Sequence, residues 1–336
     1  MLSITKRRRS FRYADQSNSG SGSIYEYEDC FVGLTDDLPL VSCGNYCGKT
    51  MTLKEVLRSS VGVMGESPLG LTEKVVLLKS QMFAVKRLRM TVVRRNEFGK
   101  RVEKLAQVSK KCEYLVPIAA YLYTKRIKFI LCEYFPMGSL ADLLAGARKY
   151  GHTALNWNQR LKIILSIARA IEFIHRQNPN ERKIKMNVHG NIKSSNVMIK
   201  IDFSACLSDY GFTQLAERVE LPRKRQLKPP PHQVPPPSYL IYREELSQKA
   251  DIYNFGVVIM DILAGSRFST FKKCILEVKE EITEGRIEFF EFALDTRERM
   301  RASQILDIAL ACTNLSAEGR PSIEQILLFL GDAIIK

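Results

Sequence analysis

The sequence predicts an α+β protein with two lobes, a small one that carries a β-sheet and a larger one that is mainly helical. Short apolar runs at residues 75–78, 82–88 and 127–132 have the length of strands and are bounded by polar residues. Beyond them, long segments with helical spacing make up most of the chain. This order of elements is the basis for the two-lobe prediction.

The individual elements follow from apolar spacing. One helix is predicted between the second and third strands, because apolar residues recur there at helical spacing, at Phe98, Val102, Leu105 and Val108. A longer helix is marked by one apolar face, formed by Leu161, Ile164, Leu165, Ala168, Ile171 and Ile174. Three more helices are predicted near residues 248–263, 303–313 and 322–335. The last begins behind Pro321, a residue favoured at helix starts.

Two segments are predicted to lack regular structure. Residues 1–50 are rich in Ser, Gly, Asp and Tyr with weak periodicity, so we expect a mostly disordered basic extension. Residues 221–237 hold seven prolines and a basic cluster at 223–225. Proline denies N–H groups to a helix or sheet, which predicts an irregular or extended loop.

Composition narrows the function classes. No apolar run reaches the roughly 18 residues of a membrane span. Eight cysteines without a C-x-x-C pair, and only four histidines, argue against a zinc site or disulfide scaffold and favour a reducing compartment. Cys43 and Cys47 are either acylated or ordinary thiols. The net charge of +15 favours acidic partners, anionic membranes or nucleic acid, or is simply solvated.

Six short motifs occur in one order along the chain. They are Ala84-Val85-Lys86, Glu133-Tyr134 followed by Gly138-Ser139-Leu140, the eight residues 189–196 with the sequence HGNIKSSN, Asp209-Tyr210-Gly211, the seven residues 250–256 with the sequence ADIYNFG, and Gly319-Arg320-Pro321-Ser322. Each is weak alone, but together they resemble the motifs of a protein kinase. The sequence LNW at 155–157 and KSSNV at 193–197 is most similar to plant leucine-rich-repeat receptor-like kinases.

The resemblance covers about residues 53–333 and implies a bilobal protein-kinase-like fold. The N-lobe, about residues 53–133, is expected to hold an antiparallel sheet with one helix, and the C-lobe, about residues 134–333, to be mainly helical. Carried over by resemblance, nucleotide contacts fall on Gly65, Gly70, Lys86 and Glu133. The Mg²⁺ ligands fall on Asn196 and Asp209, and the catalytic positions on Asn191 and Lys193. An alternative, in which Asn196 and Asp209 only cap loops, stays open.

The metal positions match the family pattern, but the phosphate-binding loop and the helix partner of Lys86 differ from it. The glycine-rich loop, residues 65–70, carries Ser67 and Pro68, and proline removes an N–H that could meet a phosphate. Helical spacing places Arg101 where a glutamate would pair with Lys86, unless a shifted helix brings in Glu103. Weak or absent binding of ATP and Mg²⁺ is therefore expected.

The catalytic and regulatory parts depart from the pattern as well. Asn191 stands in the place of the catalytic aspartate, and an amide cannot take a proton at neutral pH. Gly190 replaces the arginine that would bind an activating phosphate, and residues 214–237 contain no Ser, Thr or Tyr. No acidic partner is evident for Arg320, although Glu244 or Glu245 would serve.

These departures predict a catalytically impaired pseudokinase that serves as a signalling scaffold or allosteric partner. Other signalling proteins, among them active kinases or receptors, are the expected partners, and residues 223–237 are a candidate docking element. The basic run at residues 6–9 resembles the stretch just inside the membrane in such receptor-like kinases, which implies a cytoplasmic location at the inner face of the plasma membrane, and nuclear import is the competing interpretation of the same run. The alternatives are a weakly active serine/threonine kinase and a basic nucleic-acid-associated protein, although no specific nucleic-acid motif is present.

Overall fold

The structure, a computed structural model, describes residues 38–44, 51–77, 81–89, 91, 93–150, 155–179, 184–216, 246–265, 275 and 277–335. Within them, a small lobe with a β-sheet is followed by a larger helical lobe, as the sequence predicts. The basic run at 6–9, Cys47, the proline-rich stretch at 221–237, and Glu244 and Glu245 lie outside the described residues.

The small lobe contains a six-stranded sheet in the described part of the chain, with the strand order β1-β5-β6-β4-β3-β2. Every neighbouring pair runs antiparallel, as the resemblance implies. The strands are β1 (Val41–Ser42), β2 (Ser60–Ser67), β3 (Gly70–Val76), β4 (Met82–Leu88), β5 (Ile118–Tyr123) and β6 (Lys128–Glu133). β4 and β6, which correspond to two of the predicted apolar runs, lie in the middle of the sheet.

The helices divide between the lobes. The small lobe holds α1 (Leu53–Arg58) and α2 (Arg95–Ser109), and α2 packs on β5. The large lobe holds α3 (Leu140–Tyr150), α4 (Trp157–His175), α5 (Gln248–Ala264), α6 (Lys279–Thr283), α7 (Thr296–Cys312) and α8 (Ile323–Ile335). The side chains of Asn156 and Asp295 close capping boxes at the starts of α4 and α7, which explains where these helices begin.

The core of the large lobe forms around α4, which packs against α5 and α8, while α7 packs against α5 and α8. The apolar face predicted for α4 is mostly buried: Leu161, Ile164, Ala168, Ile171 and Ile174 are at most 7% exposed. Burying such side chains is worth about 1.5–3 kcal/mol each, so this face contributes much of the lobe's stability.

A short hairpin positions two of the candidate site residues, Asn196 and Asp209. The strands β7 (Val197–Ile199) and β8 (Ala205–Leu207) pair antiparallel, with Val197 opposite Leu207. Asn196 therefore lies directly before the hairpin and Asp209 two residues after it. A backbone bond from the Ser208 N–H to the Asn196 carbonyl, 2.9 Å long, continues the pairing and fixes the two residues side by side.

The folded part begins before residue 53, where the resemblance places its boundary. β1 pairs with β5, and the backbone of Leu40, which is 6% exposed, bonds to Met51. Cys43 follows β1 and is half-buried. Burial, with the nearby Glu103 carboxylate, raises the pKa of the Cys43 thiol to about 12. Such a thiol is a poor nucleophile, which favours the ordinary-thiol interpretation of Cys43.

Candidate functional site

A cleft between the β2–β3 hairpin and the β7–β8 hairpin collects most of the predicted site residues. Its lining comprises Met64, Gly65, Glu66, Ser67, Thr72, Ala84, Lys86, Val116, Cys132, Glu133, Ser139, Asp142, Lys193, Ser195, Asn196, Met198, Ser208 and Asp209. Of the residues carried over by resemblance, Gly70 and Asn191 are outside this lining. The cleft between the two lobes thus has a mixed lining, in which apolar surface exceeds polar surface.

Lys86 pairs with the aspartate of the Asp-Tyr-Gly motif. It lies on β4 opposite Thr72 and Ile130, in the middle of the sheet. Its Nζ atom lies 2.9 Å from Oδ2 of Asp209, and both side chains are only 9% exposed. Because the pair is shielded from water, its attraction is stronger than that of a surface pair. The Lys86 ammonium therefore uses one of its three N–H donors on Asp209.

The backbone around Asp209 is held in an unusual conformation. Asp209 has a φ of +63°, which is uncommon for a residue other than glycine. The next two residues hold it there, since the Tyr210 hydroxyl donates to the Met186 carbonyl and the Gly211 N–H donates to the His189 carbonyl at 3.3 Å. This strain fixes the direction of the carboxylate toward Lys86, as is common at functional sites.

The glutamate partner of an active kinase is not in place for Lys86. Glu103 on α2 accepts a hydrogen bond from the Tyr121 hydroxyl at 2.8 Å, so the shifted helix that would pair it with Lys86 is not formed. Arg101, which is 8% exposed, bonds through Nε to Oε1 of Glu97 at 3.0 Å. Its charge is balanced there, and Asp209 takes the place of a helix carboxylate beside Lys86.

A buried aspartate anchors the loop that carries Asn191. Asp251, fully buried at the start of α5, accepts from the N–H groups of His189 at 2.7 Å and Gly190 at 2.9 Å. The Asn191 N–H donates to Nδ1 of His189 at 3.2 Å, and the Asn191 carbonyl accepts from Nδ2 of Asn196 at 2.8 Å. Asp251 therefore anchors the backbone of this loop.

The β2–β3 hairpin covers the cleft in place of an open glycine-rich loop. Ser67 pairs with Gly70 across a turn formed by Pro68 and Leu69. The Ser67 hydroxyl donates to the Gly70 carbonyl at 3.2 Å, which stabilises the turn. Leu69 is 3% exposed, so the turn packs against the core. Glu66 adds a carboxylate to the lining, where it pairs with Arg89. Pro68 at this turn supplies no N–H group for a phosphate.

Gly70 has a structural reason to be glycine. Its φ is +150°, and a Cβ atom at this position would collide with the carbonyl of Arg87 on β4. The close approach of β3 to β4 thus requires a residue without a side chain. This explains Gly70 without a phosphate contact, in agreement with its position outside the cleft lining.

The apolar wall of the cleft was not predicted from the sequence. It is formed by Ala84, Val116, Cys132 and Met198, which come from β4, the loop before β5, β6 and β7. Burial raises the pKa of the Cys132 thiol, so it stays neutral. The only sequence signal was the alternation on β4, in which Ala84 and Lys86 share one face.

Lys193 and Asn196 also line the cleft. Burial lowers the pKa of the Lys193 ammonium, Asp209 acts to raise it, and Lys86 acts to lower it further. The ammonium groups of Lys86 and Lys193 therefore both interact electrostatically with the Asp209 carboxylate. This arrangement leaves positive charge at the inner end of the cleft.

The residues present fit a nucleotide better than they fit two metal ions. The apolar wall suits a purine base, and Lys86 and Lys193 suit phosphate oxygens. For a hard cation, Asn196 supplies a neutral amide oxygen and Asp209 a carboxylate already paired with Lys86. Within the described residues, no cluster of three or more His, Cys, Asp or Glu side chains suits a metal ion.

At residue 190, where active kinases carry the arginine that binds an activating phosphate, a side chain would be strained in this structure. Gly190 has a φ of +78°, and a Cβ atom there would lie 2.5 Å from Cδ2 of Leu246 and 2.9 Å from Oγ1 of Thr213.

The described part of the chain contains no helix long and apolar enough to cross a membrane. The region between residues 217 and 245, which holds the predicted docking loop, lies outside the described residues.

Comparisons with known proteins agree with this geometry. The family model described as protein tyrosine and serine/threonine kinase matches residues 61–330. From Arabidopsis thaliana, "Probable inactive receptor kinase RLK902" is 30% identical over 302 residues, covering 86% of this chain and 44% of that protein. An inactive leucine-rich repeat receptor-like serine/threonine-protein kinase from the same plant is 31% identical over 289 residues, covering 84% and 42%. The chain thus spans less than half the length of these curated relatives.

Solved structures give the same fold. The pseudokinase domain of BIR2, described as an immune regulator of the RLK/Pelle family, superposes with a TM-score of 0.69 at 23% identity, over 95% of this chain and 94% of that one. The kinase domain of maize SIRK1, bound to AMP-PNP, gives 0.68 at 24% identity, over 88% and 99%. At this identity the likeness shows the fold alone.

Proposed function

Because the chain belongs to the protein tyrosine and serine/threonine kinase family, whose model matches residues 61–330, we propose that it is a receptor-like-kinase-type pseudokinase. In this proposal it transfers no phosphate at a significant rate and acts instead as a signalling scaffold or allosteric partner. The curated relatives that carry the word inactive in their names support this assignment.

The observation that carries the proposal is Asn191 at the position of the general base. Its backbone is held by His189 and Asn196, and in this proposal the loop lacks the proton acceptor that phosphoryl transfer requires. An amide side chain accepts hydrogen bonds but no proton near neutral pH. Losing a general base typically slows a reaction about 10²- to 10⁴-fold.

Two further features weaken phosphoryl transfer. The pairing of Lys86 with Asp209 ties together a phosphate-binding cation and a metal ligand. Pro68 and the buried Leu69 at the tip of the β2–β3 hairpin reduce the backbone donors available to phosphates. These features best support a function as a folded scaffold, because they make the site poorly suited to phosphoryl transfer.

The partners proposed are active kinases or receptors of the same broad class, met at the inner face of the plasma membrane. Residues 223–237, basic and rich in proline, are the proposed docking element, because extended proline-rich segments suit groove recognition. The net charge of +15 would add attraction to anionic membrane surfaces.

A phosphate-transfer assay tests the proposal. The purified chain is incubated with radiolabelled ATP, a basic protein substrate and Mg²⁺ or Mn²⁺, beside its Lys86→Ala and Asp209→Ala variants. The expected label is no higher in the wild-type chain than in the variants. Robust metal-dependent labelling that disappears in Lys86→Ala would contradict the proposal. The scaffold role is tested by adding the chain to an active receptor kinase domain and measuring that domain's autophosphorylation rate.

The second candidate is a slow serine/threonine kinase. The gathering of Lys86, Lys193, Asn196 and Asp209 in one cleft favours it. Asn191→Asp separates the two candidates. If only the base is missing, this variant gains about 10²-fold or more in transfer rate. If the pairing at Lys86 and the hairpin also limit the site, as we propose, the gain is small.

A further inference from the structure

Charge is distributed unevenly between the two lobes. In the described part of the small lobe, Lys and Arg residues are more than twice as numerous as Asp and Glu residues. In the described part of the large lobe, acidic residues slightly outnumber basic ones. Such an asymmetry orients a protein, because the basic lobe is the one that an anionic partner attracts.

A tight turn between β5 and β6 holds two of these cations at the surface. The Thr124 N–H donates to the Ile127 carbonyl at 2.7 Å, and the Ile127 N–H donates to Oγ1 of Thr124 at 2.8 Å. Lys128 Nζ donates to the Lys125 carbonyl at 2.9 Å, which adds a third bond across the turn. Lys125 and Arg126, the two residues at its tip, are exposed.

The start of α2 lies next to this turn. Tyr123, the last residue of β5, donates from its hydroxyl to the Val93 carbonyl at 3.2 Å. Its ring also packs on Phe98 in the first turn of α2, with the ring centroids 5.1 Å apart. Arg94 and Arg95 directly follow Val93 and are both exposed. Two arginines at the start of α2 and two cations of the turn are therefore neighbours.

The exposed cations continue along α2. Lys100 is exposed on the helix, and Lys111 is exposed just past its C-terminal end. The helix has 15 residues and is therefore about 22 Å long. We refer to the six exposed cations of this region as the basic surface: Arg94, Arg95, Lys100, Lys111, Lys125 and Arg126.

Nearby carboxylates leave the basic surface positively charged. Glu97 on α2 accepts from Nε of Arg101 at 3.0 Å, and Glu103 accepts from the Tyr121 hydroxyl at 2.8 Å. Glu113 adds one negative charge beyond the end of α2. Among the described residues, no carboxylate forms an ion pair with any of the six cations. The basic surface therefore keeps a net positive charge.

The spread of the cations favours a plane of negative charge over a single anionic group. A site for one phosphate needs donors that converge on one point. Lys125 and Lys111, by contrast, lie near opposite ends of a helix that is about 22 Å long. Electrostatic attraction reaches only about 8 Å at physiological ionic strength, so a cation contributes only where it faces the anionic partner. A bilayer that contains anionic lipids can face all six cations at once.

From this arrangement we propose that the basic surface docks the small lobe onto a membrane that contains anionic lipids such as phosphatidylserine. The backbones of α2 and of the β5–β6 turn hold the cations in place, and their long side chains reach the lipid headgroups. The large lobe, with its slight excess of acidic residues, is directed away from the bilayer. The inference deepens the proposed function, on whose membrane location it rests, by naming the surface that meets the membrane.

The test is co-sedimentation of the full chain with vesicles, in the absence of nucleotide. One set of vesicles is phosphatidylcholine alone, and the other contains about 30% phosphatidylserine, which gives the bilayer a negative surface potential. We expect the chain to sediment only with the anionic vesicles, and to be released when the salt concentration rises from about 0.1 M to about 1 M. Equal sedimentation with both sets overturns the inference, and so does a lack of sedimentation with either.

A double variant tests the position of the charges. Lys125→Gln combined with Arg126→Gln should weaken binding to the anionic vesicles by more than about tenfold, since each cation near such a surface contributes about fivefold. Lys279→Gln combined with Arg286→Gln removes the same charge from the large lobe and is the matched control. The control should change binding by less than about twofold. Circular dichroism checks that both variants are folded, and equal losses in the two overturn the inference.

A second double variant and two competing outcomes complete the test. Arg94→Gln combined with Arg95→Gln should weaken vesicle binding by a factor similar to that of the turn variant. If both variants keep their binding and neutralising the basic run at residues 6–9 abolishes it, that run alone holds the membrane and the inference is wrong. If a soluble polyglutamate peptide binds the chain and the vesicles do not, the partner is an acidic segment and the inference is wrong as well. Neither outcome affects the proposed lack of phosphate transfer, which the ATP-labelling assay measures separately.

Discussion

Arg101 donates from Nη1 to the backbone carbonyl of Gln214 at 3.2 Å, which ties helix α2 of the small lobe to the segment that follows Asp209. Gln214 in turn clasps the large lobe, since its side chain accepts from the Lys185 N–H at 2.8 Å and donates to the Lys185 carbonyl at 3.1 Å. One chain of hydrogen bonds therefore runs from α2, through residue 214, to the loop before Asn191.

Arg101→Met is expected to lower the free energy of unfolding. The substitution removes the bonds to Gln214 and Glu97 at a position that is 8% exposed. Losing a buried hydrogen-bond partner costs about 1–3 kcal/mol. Urea unfolding measures the change, and hydrogen exchange of the amides at 211–216 should accelerate. Lys100→Met, at an exposed position on the same helix, should change the free energy by less than about 0.5 kcal/mol. Equal effects of the two variants would contradict the stabilising role of Arg101.

The sequence predicted which residues belong to the site, but not which of them form ion pairs or hydrogen bonds with each other. The motifs placed Lys86 and Asp209, and helical spacing placed Arg101 at the face that points toward the site. The partner of Arg101, however, lies 113 residues away along the chain. Periodicity gives the face of an element and contains no information about a backbone carbonyl contributed by a distant loop, so the Arg101–Gln214 bond was outside its reach.

The fold was predicted well where one face is buried and poorly elsewhere. The amphipathic helices α2 and α4 were found because their apolar faces repeat at helical spacing. β2 was missed because seven of its residues are exposed, so its apolar residues follow no alternation. β5 was missed for the opposite reason, since five of its six residues are buried and alternation is absent. Short apolar runs identified β4 and β6, but such a run does not by itself distinguish a buried strand from a buried helix.

Gly190→Ala is expected to destabilise the protein. The backbone at residue 190 has a φ of +78°, and the new Cβ would lie 2.5 Å from Leu246 Cδ2. The left-handed conformation alone costs a non-glycine residue about 1–2 kcal/mol. Gly331→Ala is the matched control, because open space surrounds residue 331 in helix α8. There, alanine should stabilise by about 0.5–1 kcal/mol. Thermal unfolding measures both, and a neutral Gly190→Ala would show that the loop can move.

Asp251→Asn is expected to be more costly than a surface change of the same kind. Both carboxylate oxygens of Asp251 accept backbone N–H groups, from His189 and Gly190, whereas an amide offers one oxygen and turns an NH₂ toward a donor. Each unsatisfied buried group costs about 1–3 kcal/mol. Asp307→Asn disrupts only an exposed pair with Lys279 and should cost at most about 1 kcal/mol. A similar loss in both variants, measured by urea unfolding, would contradict the anchoring role.

His189 should make the protein less stable as the pH falls from 7.5 to 5.5. The imidazole is fully buried, and burial lowers its pKa below the ordinary 6.5, although Asp251 and Asp209 act to raise it. Its Nδ1 accepts from the Asn191 N–H at 3.2 Å, a bond that requires the neutral ring. In the unfolded chain the His189 imidazole is therefore protonated as the pH falls through about 6.5, whereas in the folded chain it stays neutral. Folding stability must then fall below that pH, by up to about 1.4 kcal/mol for each pH unit.

The variant His189→Gln isolates this effect. Glutamine does not titrate, so the variant should be less stable than the wild type at pH 7.5 but should lose less stability between pH 7.5 and 5.5, when both are unfolded by urea. Most carboxylates titrate below this window, which leaves the histidines as the main contributors. An unchanged pH dependence in His189→Gln would mean that the buried ring accepts its proton in the folded state, and the neutral form assigned by the Asn191 bond would then be wrong.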